Sequence, residues 1–148
     1  MIKILIFILL VLADFITKYF VSNNLLINQQ IKINYFLDLV YVQNFGISFG
    51  LLSGSIPYWL LAFIAFIVLL IIFYLFIKSN NFIEKIGYFA IISGAFSNII
   101  DRTINGFVVD FISLHYRNFF WPSFNLADIY ITIGIIMLLL NLILVRKK

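Results

Sequence analysis

The sequence contains no cysteine, a single histidine (His115) and little charge of either sign. Without cysteine there is no disulfide framework, no thiolate metal site, no cysteine nucleophile and no cysteine that could accept a lipid. A single histidine rules out bis-histidine haem ligation within the chain and does not supply a histidine-rich metal site. We therefore expect neither a metal nor a cofactor.

Charged residues make up only 11% of the 148 residues, hydrophobic residues make up 64%, and the mean hydropathy is +1.13. A soluble domain is about 25% charged, and a disordered chain combines low hydrophobicity with high charge, so both classes are excluded. The composition indicates a membrane protein that contacts membrane lipids and no nucleic acid. Nothing in the sequence requires a second copy, so we expect a monomer.

Four runs are candidates for membrane-spanning helices, each of which needs about 20 mostly apolar residues. They cover about residues 4–21, 56–77, 86–104 and 128–145. The first run has the basic start of a signal peptide, but no A-x-A-like cleavage site follows it and Asp14 and Lys18 interrupt it, so we expect a retained helix. Segment 31–50 is rich in β-branched and aromatic residues, which predicts a strand or hairpin. The predicted fold is one all-α membrane domain of four spanning helices with a small extracytoplasmic β-element.

Basic residues predict the orientation, because cytoplasmic loops are enriched in lysine and arginine. With four spans, both termini lie on one side of the membrane. That side holds Lys3, Lys78, Lys85, Arg146, Lys147 and Lys148, whereas the loops of the other side hold only Lys32 and Arg117. Both termini are therefore expected in the cytoplasm, and segments 22–55 and 105–127 are expected to face outward.

Polar residues of different spans are predicted to meet at one depth in the membrane. Asp14 lies eleven residues after Lys3, which is roughly 16 Å along a helix. The third span carries its polar residues late and the fourth carries them early, so all fall in the outer half of the membrane. These residues are Asp14, Lys18, Gly94, Asn98, Asp101, Arg102, Asp110, Asn125 and Asp128. Ionisable residues inside spans are costly and indicate function.

Each of these groups also has a purely structural interpretation. Asp14 and Lys18 have the i,i+4 spacing of an ion pair that tethers helices. Asn98, Asp101 and Arg102 could cap the end of the third span. Asn125 and Asp128 have the N-cap and N3 spacing of a helix start.

Three acidic residues outside the spanning helices are judged by their surroundings. Asp38 falls in the outward loop and is expected at the surface, and Glu84 falls in a short cytoplasmic loop, where no functional role is expected. Asp110 lies in the apolar run Val109–Phe111, where stability alone hardly explains a carboxyl group.

If Asp110 and Asp128 meet at the outer interface, they form a poorly hydrated carboxyl pair. Two such groups cannot both ionise easily, so one can act as a base that activates water and the other as an acid. A serine triad would need His115, but no G-x-S-x-G motif precedes it. A serine–lysine pair would need Lys18, which already has Asp14 at helical spacing.

Five segments, in order, resemble the motifs of one family, the lipoprotein signal peptidases (type II signal peptidases of bacteria). The segments are Asp14–Lys18 (D-x-x-T-K), Asn44–Gly50 (N-x-G-x-x-F-G), Gly94–Arg102 (G-A-x-x-N-x-x-D-R), Val108–Ile112 (V-x-D-F-I) and Trp121–Asp128 (W-P-x-F-N-x-A-D). Any one motif is weak, but five in order over most of the chain are specific. The departures are mild: Ser93 and Ser97 stand where the family often has glycine, and Phe15 where it often has glutamine.

The resemblance implies an aspartyl endopeptidase of the bacterial cytoplasmic membrane. Its substrate would be a diacylglyceryl-modified prolipoprotein, cut just before the modified cysteine, at a site near the outer face. Asp110 and Asp128 match the catalytic aspartates. Asn98 and Asn125 match residues that support them, and Asn44 and Arg102 match residues on the substrate side. Residues at motif positions of largely structural role are Asp14, Lys18, Gly94, Asp101 and Ala127.

Two alternative functions remain at this point. A small proton-coupled transporter or channel would also place ionisable residues within its spans, although no paired half-repeats are visible. A catalytically inert assembly subunit would leave Asp110 unexplained. Replacing Asp110 by asparagine separates the three hypotheses.

Overall fold

The computed structural model describes residues 2–47 and 56–145. Its helices are α1 (Ile2–Asn24), α2 (Tyr58–Lys78), α3 (Phe82–Asn105) and α4 (Leu126–Val145). All four are long and apolar enough to cross a membrane. Their outward faces expose large apolar side chains, such as Leu70 at 51%, as expected where lipid rather than water surrounds a helix.

Helix α3 is the centre of the bundle and packs against α1, α2 and α4. It begins after Asn81, whose side chain accepts hydrogen bonds from the backbone N–H groups of Ile83 and Glu84. It ends at Gly106, which adopts the left-handed conformation with φ 81° that glycine tolerates best. The apolar helices α2 and α4 therefore pack around a helix that has two defined ends and carries most of the polar side chains.

Glycine allows α3 and α4 to approach closely. A Cβ atom on Gly94 would lie 2.2 Å from the carbonyl oxygen of Ala127, and one on Gly134 would lie 2.5 Å from that of Gly87. Neither position has room for a side chain. The close packing brings the first turn of α4 against the polar part of α3.

The connections between the helices form one antiparallel sheet of four strands in the order β1-β2-β3-β4. The strands are β1 (Gln30–Lys32), β2 (Leu37–Asn44), β3 (Val108–Tyr116) and β4 (Phe119–Phe120). In the central pair, Val42 lies opposite Asp110 and Asn44 lies opposite Val108. The register thus sets the carboxyl group of β3 beside the end of β2.

The sheet is larger than the predicted β-element, and the fold is mostly helical rather than all-α. The predicted segment 31–50 supplies β1 and β2, while residues 48–50 lie outside the described residues. Strands β3 and β4 come from the connection 105–127, for which no strand was predicted. The run Val108–Phe111 is buried throughout and therefore lacks the alternation that identifies a half-exposed strand.

A small apolar core fixes the sheet on α1. Val21 and Leu25 of α1 pack with Tyr41 of β2 and with Val109 and Phe111 of β3. These last two residues flank Asp110 on both sides. The hydrophobic contacts therefore hold the strand that carries this carboxyl group.

Asp38, which was expected at the surface, is buried, and Glu84 has hydrogen-bond partners. Asp38 is only 2% exposed, accepts a hydrogen bond from Gln30 and lies 3.2 Å from Nε2 of His115. Glu84 accepts hydrogen bonds from Ser79 and Asn141. The surface assignment of Asp38 is wrong, because the sheet that buries it includes strands from both connections.

Candidate active site

Asp110 lies in β3 and is 3% exposed. Its two carboxyl oxygens each accept a hydrogen bond from an amide side chain. Asn44 Nδ2 donates to Oδ2 over 2.9 Å, and Asn125 Nδ2 donates to Oδ1 over 2.7 Å. Residues from β2 and from the start of α4 thus hold one carboxyl group between them.

Asp128 lies in the first turn of α4 and forms a reciprocal cap with Asn125. The Asp128 backbone N–H donates to Asn125 Oδ1 over 3.0 Å, and the Asn125 backbone N–H donates to Asp128 Oδ2 over 3.2 Å. The other carboxyl oxygen of Asp128 accepts a 2.9 Å hydrogen bond from Asn98 Nδ2. The capping interpretation is therefore correct, and the same Asn125 amide links the cap to Asp110.

The environment of Asp110 favours its protonated form. The pKa of Asp110 is raised from its ordinary value of 3.8 to about 7. Burial is the largest cause, and the nearby Asp128 carboxyl acts in the same direction. Hydrogen bonds from Asn44 and Asn125 and the charge of Lys18 act in the opposite direction. A carboxyl group with a pKa near neutrality can both hold and release a proton at physiological pH.

A buried ionic cluster lies directly behind the two carboxyl groups. Lys18 Nζ lies 2.8 Å from Asp14 Oδ2 and 3.4 Å from Asp101 Oδ2. Asp14 is fully buried and also accepts hydrogen bonds from Ser97 Oγ over 2.6 Å and from the Ala127 backbone N–H over 2.9 Å. Asp14 thereby ties α1 to both α3 and the first turn of α4.

Asp101 and Arg102 connect the end of α3 to the sheet. Asp101 Oδ2 accepts a 2.8 Å hydrogen bond from the backbone N–H of Val109, the residue before Asp110. Arg102 donates through Nη2 to the carbonyl oxygen of Gly46. Its buried Nε has no hydrogen-bond partner among the residues that the structure describes. Arg102 thus ties the end of α3 to the segment that follows β2.

A cavity of about 640 Å³ opens onto both Asp110 and Asp128. Asn44, Asn98 and Arg102 supply further polar groups to its wall. The rest of the lining is mainly apolar and comes from α2, α3, α4 and the sheet; it includes Ala65, Ala95, Ile99, Val108, Leu114, Phe124, Ile131 and Ile135. An apolar cavity with a few convergent polar groups is typical of a binding or catalytic site.

The predicted site residues are thus brought together by direct contacts. Asp110, Asp128, Asn44, Asn98 and Asn125 form one hydrogen-bonded assembly, and Arg102 lines the same cavity. The residues expected to be structural, namely Asp14, Lys18, Gly94, Asp101 and Ala127, surround it.

One residue considered for catalysis lies apart from the carboxyl pair, and three residues of the site were not predicted from the sequence. His115 faces Asp38 and Phe120 instead. Ser97, Ala65 and Thr132 also contribute to the cluster or the cavity wall. No local spacing in the sequence could have revealed them, because their partners lie on distant elements.

Four apolar helices and a sheet that together form a cavity lined by two carboxyl groups define a multi-pass membrane protein with an enzyme-like site. The family model described as signal peptidase (SPase) II matches residues 6–144. The chain belongs to the signal peptidase II family, which is a family of proteases. The resemblance seen in the five motifs is thereby confirmed.

Individual relatives give the same assignment. The lipoprotein signal peptidase of Francisella tularensis subsp. novicida is 37% identical over 147 residues, which cover 95% of this chain and 91% of the relative. That of Rickettsia akari is 41% identical over 138 residues, covering 90% and 70%. A bacterial membrane enzyme solved by the in meso method at 2.3 Å resolution superimposes with a TM-score of 0.85 at 33% identity, covering 95% of this chain and 87% of that one.

Proposed function

We propose that this protein is an intramembrane aspartyl endopeptidase that removes the signal peptide from prolipoproteins, cutting just before a diacylglyceryl-modified cysteine. The observation that carries the proposal is that two carboxyl groups from different elements, Asp110 and Asp128, line one largely apolar cavity. The relatives named lipoprotein signal peptidase support the choice of substrate.

In the proposed reaction the carboxyl pair holds one proton, carried at rest by Asp110. Ionised Asp128 takes a proton from a water molecule as its oxygen attacks the scissile carbonyl carbon, and Asp110 donates its proton to the carbonyl oxygen. The tetrahedral intermediate then collapses. Asp128 passes its proton to the leaving nitrogen as the C–N bond breaks, and the carbonyl oxygen returns its proton to Asp110. The products are the carboxylic acid of the signal peptide, which then ionises, and the free amine of the modified cysteine, which takes up a proton.

The asparagine side chains would orient the pair for this exchange. Asn98 and the backbone N–H of Asn125 each donate a hydrogen bond to a carboxyl oxygen of Asp128, which fixes the orientation of that carboxyl group at the cavity. Asn44 and Asn125 hold Asp110 from two sides, so the carboxyl cannot rotate away from the cavity. We assign Arg102, which lines the cavity, to contact with the substrate backbone.

The apolar wall of the cavity suits a lipid-modified substrate. Lining residues continue along α4 from Asp128 to Ile135 and include Ala65 of α2. Seven residues of helix correspond to about 10 Å, so an acyl chain bound there would run away from the carboxyl pair. The modified cysteine would then be held with its preceding peptide bond at the two carboxyl groups.

The proposed arrangement in the membrane follows from the basic residues. Lys78 and Lys85 lie at the end of α2 and near the start of α3, whereas Lys32 and Arg117 belong to the sheet region. By the positive-inside rule the sheet and the carboxyl pair face the outer side of the bacterial cytoplasmic membrane, with both termini in the cytoplasm. We take the chain to act there as a single membrane domain and as a monomer.

The alternative of a proton-coupled transporter or channel is not favoured. A second polar cluster joins Ser79, Glu84 and Asn141 at the opposite ends of the helices. Within the described ranges 2–47 and 56–145, no chain of hydrogen bonds connects this cluster to Asp128. A transporter would need such a path or a water-filled one across the full membrane.

The test is a cleavage assay with purified protein in lipid-supplied detergent. The substrates are a diacylglyceryl-modified prolipoprotein and the same protein without the modification. We expect a gel shift and a new amino terminus at the cysteine for the modified form alone. If folded protein leaves the modified form intact but conducts protons in liposomes, the peptidase proposal is wrong and the transporter hypothesis replaces it.

A further inference from the structure

The side-chain amide of Asn98 lies between the ammonium group of Lys18 and the carboxyl group of Asp128. The orientation of this amide decides whether its oxygen or its nitrogen faces Asp128. Its oxygen Oδ1 accepts a 2.8 Å hydrogen bond from Lys18 Nζ, while its nitrogen Nδ2 donates over 2.9 Å to Asp128 Oδ1. A flip of the amide by half a turn would exchange these two atoms. Only one of the two orientations offers a donor to Asp128.

Lys18 selects that orientation, because an ammonium group donates hydrogen bonds and accepts none. Its position is itself fixed, since it is 4% exposed and faces Asp14 at 2.8 Å, Asp101 at 3.4 Å and Asn98 at 2.8 Å. Three acceptors correspond to the three ammonium hydrogens. These contacts hold the Lys18 ammonium group in place, so it continues to fix the orientation of the Asn98 amide.

We infer that Lys18 is a positioning residue that acts through Asn98 to present an N–H donor to Asp128, the proposed base. This inference rests on the proposed function, because it assigns Asp128 that role. Without Lys18, the Asn98 amide can present its oxygen to Asp128, and two acceptors facing each other favour a protonated carboxyl. Lys18 thus does more than pair with Asp14.

The experiment is a double-mutant cycle on cleavage of the modified prolipoprotein, with Lys18→Met, Asn98→Ala and the double variant. We expect each single variant to lower kcat by about tenfold or more, the scale of a mispositioned acid–base group, with little change in KM. The double variant should be no slower than the slower single variant by more than about twofold. Fully multiplicative losses would show that Lys18 does not act through Asn98 and would overturn the inference.

The pH profile provides a readout that a merely structural role would not change. In Lys18→Met the acid limb of kcat/KM should move to higher pH, because Asp128 becomes easier to protonate. In the Asn98→Ala background the same substitution should move the limb less, because only the direct effect of the lysine charge remains. If it moves the limb equally in both backgrounds, the lysine acts by its charge alone and the amide plays no part.

Loss of folding is controlled by two further variants. Asp14→Asn combined with Lys18→Met removes both charges of the buried pair, and its kcat should fall in the same way relative to Asp14→Asn alone. Asn141→Leu removes a buried polar group of the distant cluster and should lower thermal stability without lowering kcat. If wild type itself fails to cleave, the proposed function fails; if wild type cleaves and Lys18→Met matches its kcat, only this inference fails.

Discussion

Replacing Gly94 by alanine should separate α3 from α4 at the active site. The new Cβ atom would lie 2.2 Å from the Ala127 carbonyl oxygen and 2.9 Å from Ile131 Cγ1. Because ordinary contacts begin near 3.4 Å, the helices must move apart by roughly 1 Å. Overpacking of this kind costs about 1–3 kcal/mol of stability.

The same shift moves Asp128, which lies next to Ala127, relative to Asp110 on the sheet. A displacement of about 1 Å can lower the rate of an enzyme about 100-fold. We therefore expect kcat for the modified prolipoprotein to fall by about that factor in Gly94→Ala, while the melting temperature in detergent falls only moderately.

Gly87→Ala is the matched control, since it lies on the same helix face two turns away. Its Cβ would meet the Gly134 carbonyl oxygen and the flexible Leu138 side chain, all at 3.0 Å, so a shift of a few tenths of an ångström is enough. We expect a small loss of stability and an unchanged kcat. If Gly94→Ala loses no more activity than Gly87→Ala, the close contact between α3 and α4 does not position Asp128.

Four further predictions concern the carboxyl pair and the cavity. The pKa of Asp110 in the folded protein is raised from 3.8 to about 7, so the protonated carboxyl group stabilises the folded state and this stabilisation is lost as the pH rises. Between about pH 4 and 7, the free energy of unfolding of wild type should fall by on the order of 4 kcal/mol relative to that of Asp110→Asn. Melting temperatures of both proteins, measured against pH, check this. For the same reason kcat/KM of wild type should fall as the pH rises through about 7; an alkaline limb above pH 9 would contradict the assignment of Asp110 as the acid. Asn125→Leu removes the amide donor to Asp110 and the cap of α4, so it should cost about 2–4 kcal/mol and nearly all activity; thermal melting and cleavage rates check both. Ala65→Leu narrows the cavity and should raise KM several-fold with little effect on kcat, whereas Ala62→Leu on the same helix should leave KM unchanged.

Most of the helical fold and the identity of the polar cluster were accessible from the sequence. Long apolar runs indicate spanning helices by length alone, and α2 and α4 offer little else to interpret. Asp110 was recognisable because a carboxyl group in an apolar run needs an explanation. The i,i+4 spacing likewise predicted the ion pair between Asp14 and Lys18, which lie 2.8 Å apart.

The sheet and the cross-element contacts were less accessible. Strand β3 is buried on both faces at its start, so it reads as an apolar run rather than as an alternating strand. The pairing of Val42 with Asp110 joins residues from two separate connections, and no local pattern encodes it. Asp38 was misassigned for the same reason, because its burial depends on that pairing.

The five motifs supplied some of the contacts between elements that local sequence patterns could not predict. They named Asn44, Asn98 and Asn125 as neighbours of the carboxyl groups, although spacing alone gave only the capping relation of Asn125 to Asp128. The direction in which each amide points could not be predicted. It depends on partners such as Lys18 that lie on another helix.

The central claim is that both Asp110 and Asp128 carry the reaction. The most direct measurement is the single-turnover cleavage rate of the modified prolipoprotein by Asp110→Asn, Asp128→Asn and Asp38→Asn, each verified as folded by thermal melting. Asp38 is the matched control, because it is another buried carboxyl of the same sheet but lies outside the cavity lining. We predict no detectable cleavage by the first two variants and a wild-type rate for the third; cleavage at the wild-type rate by either of the first two would contradict the account.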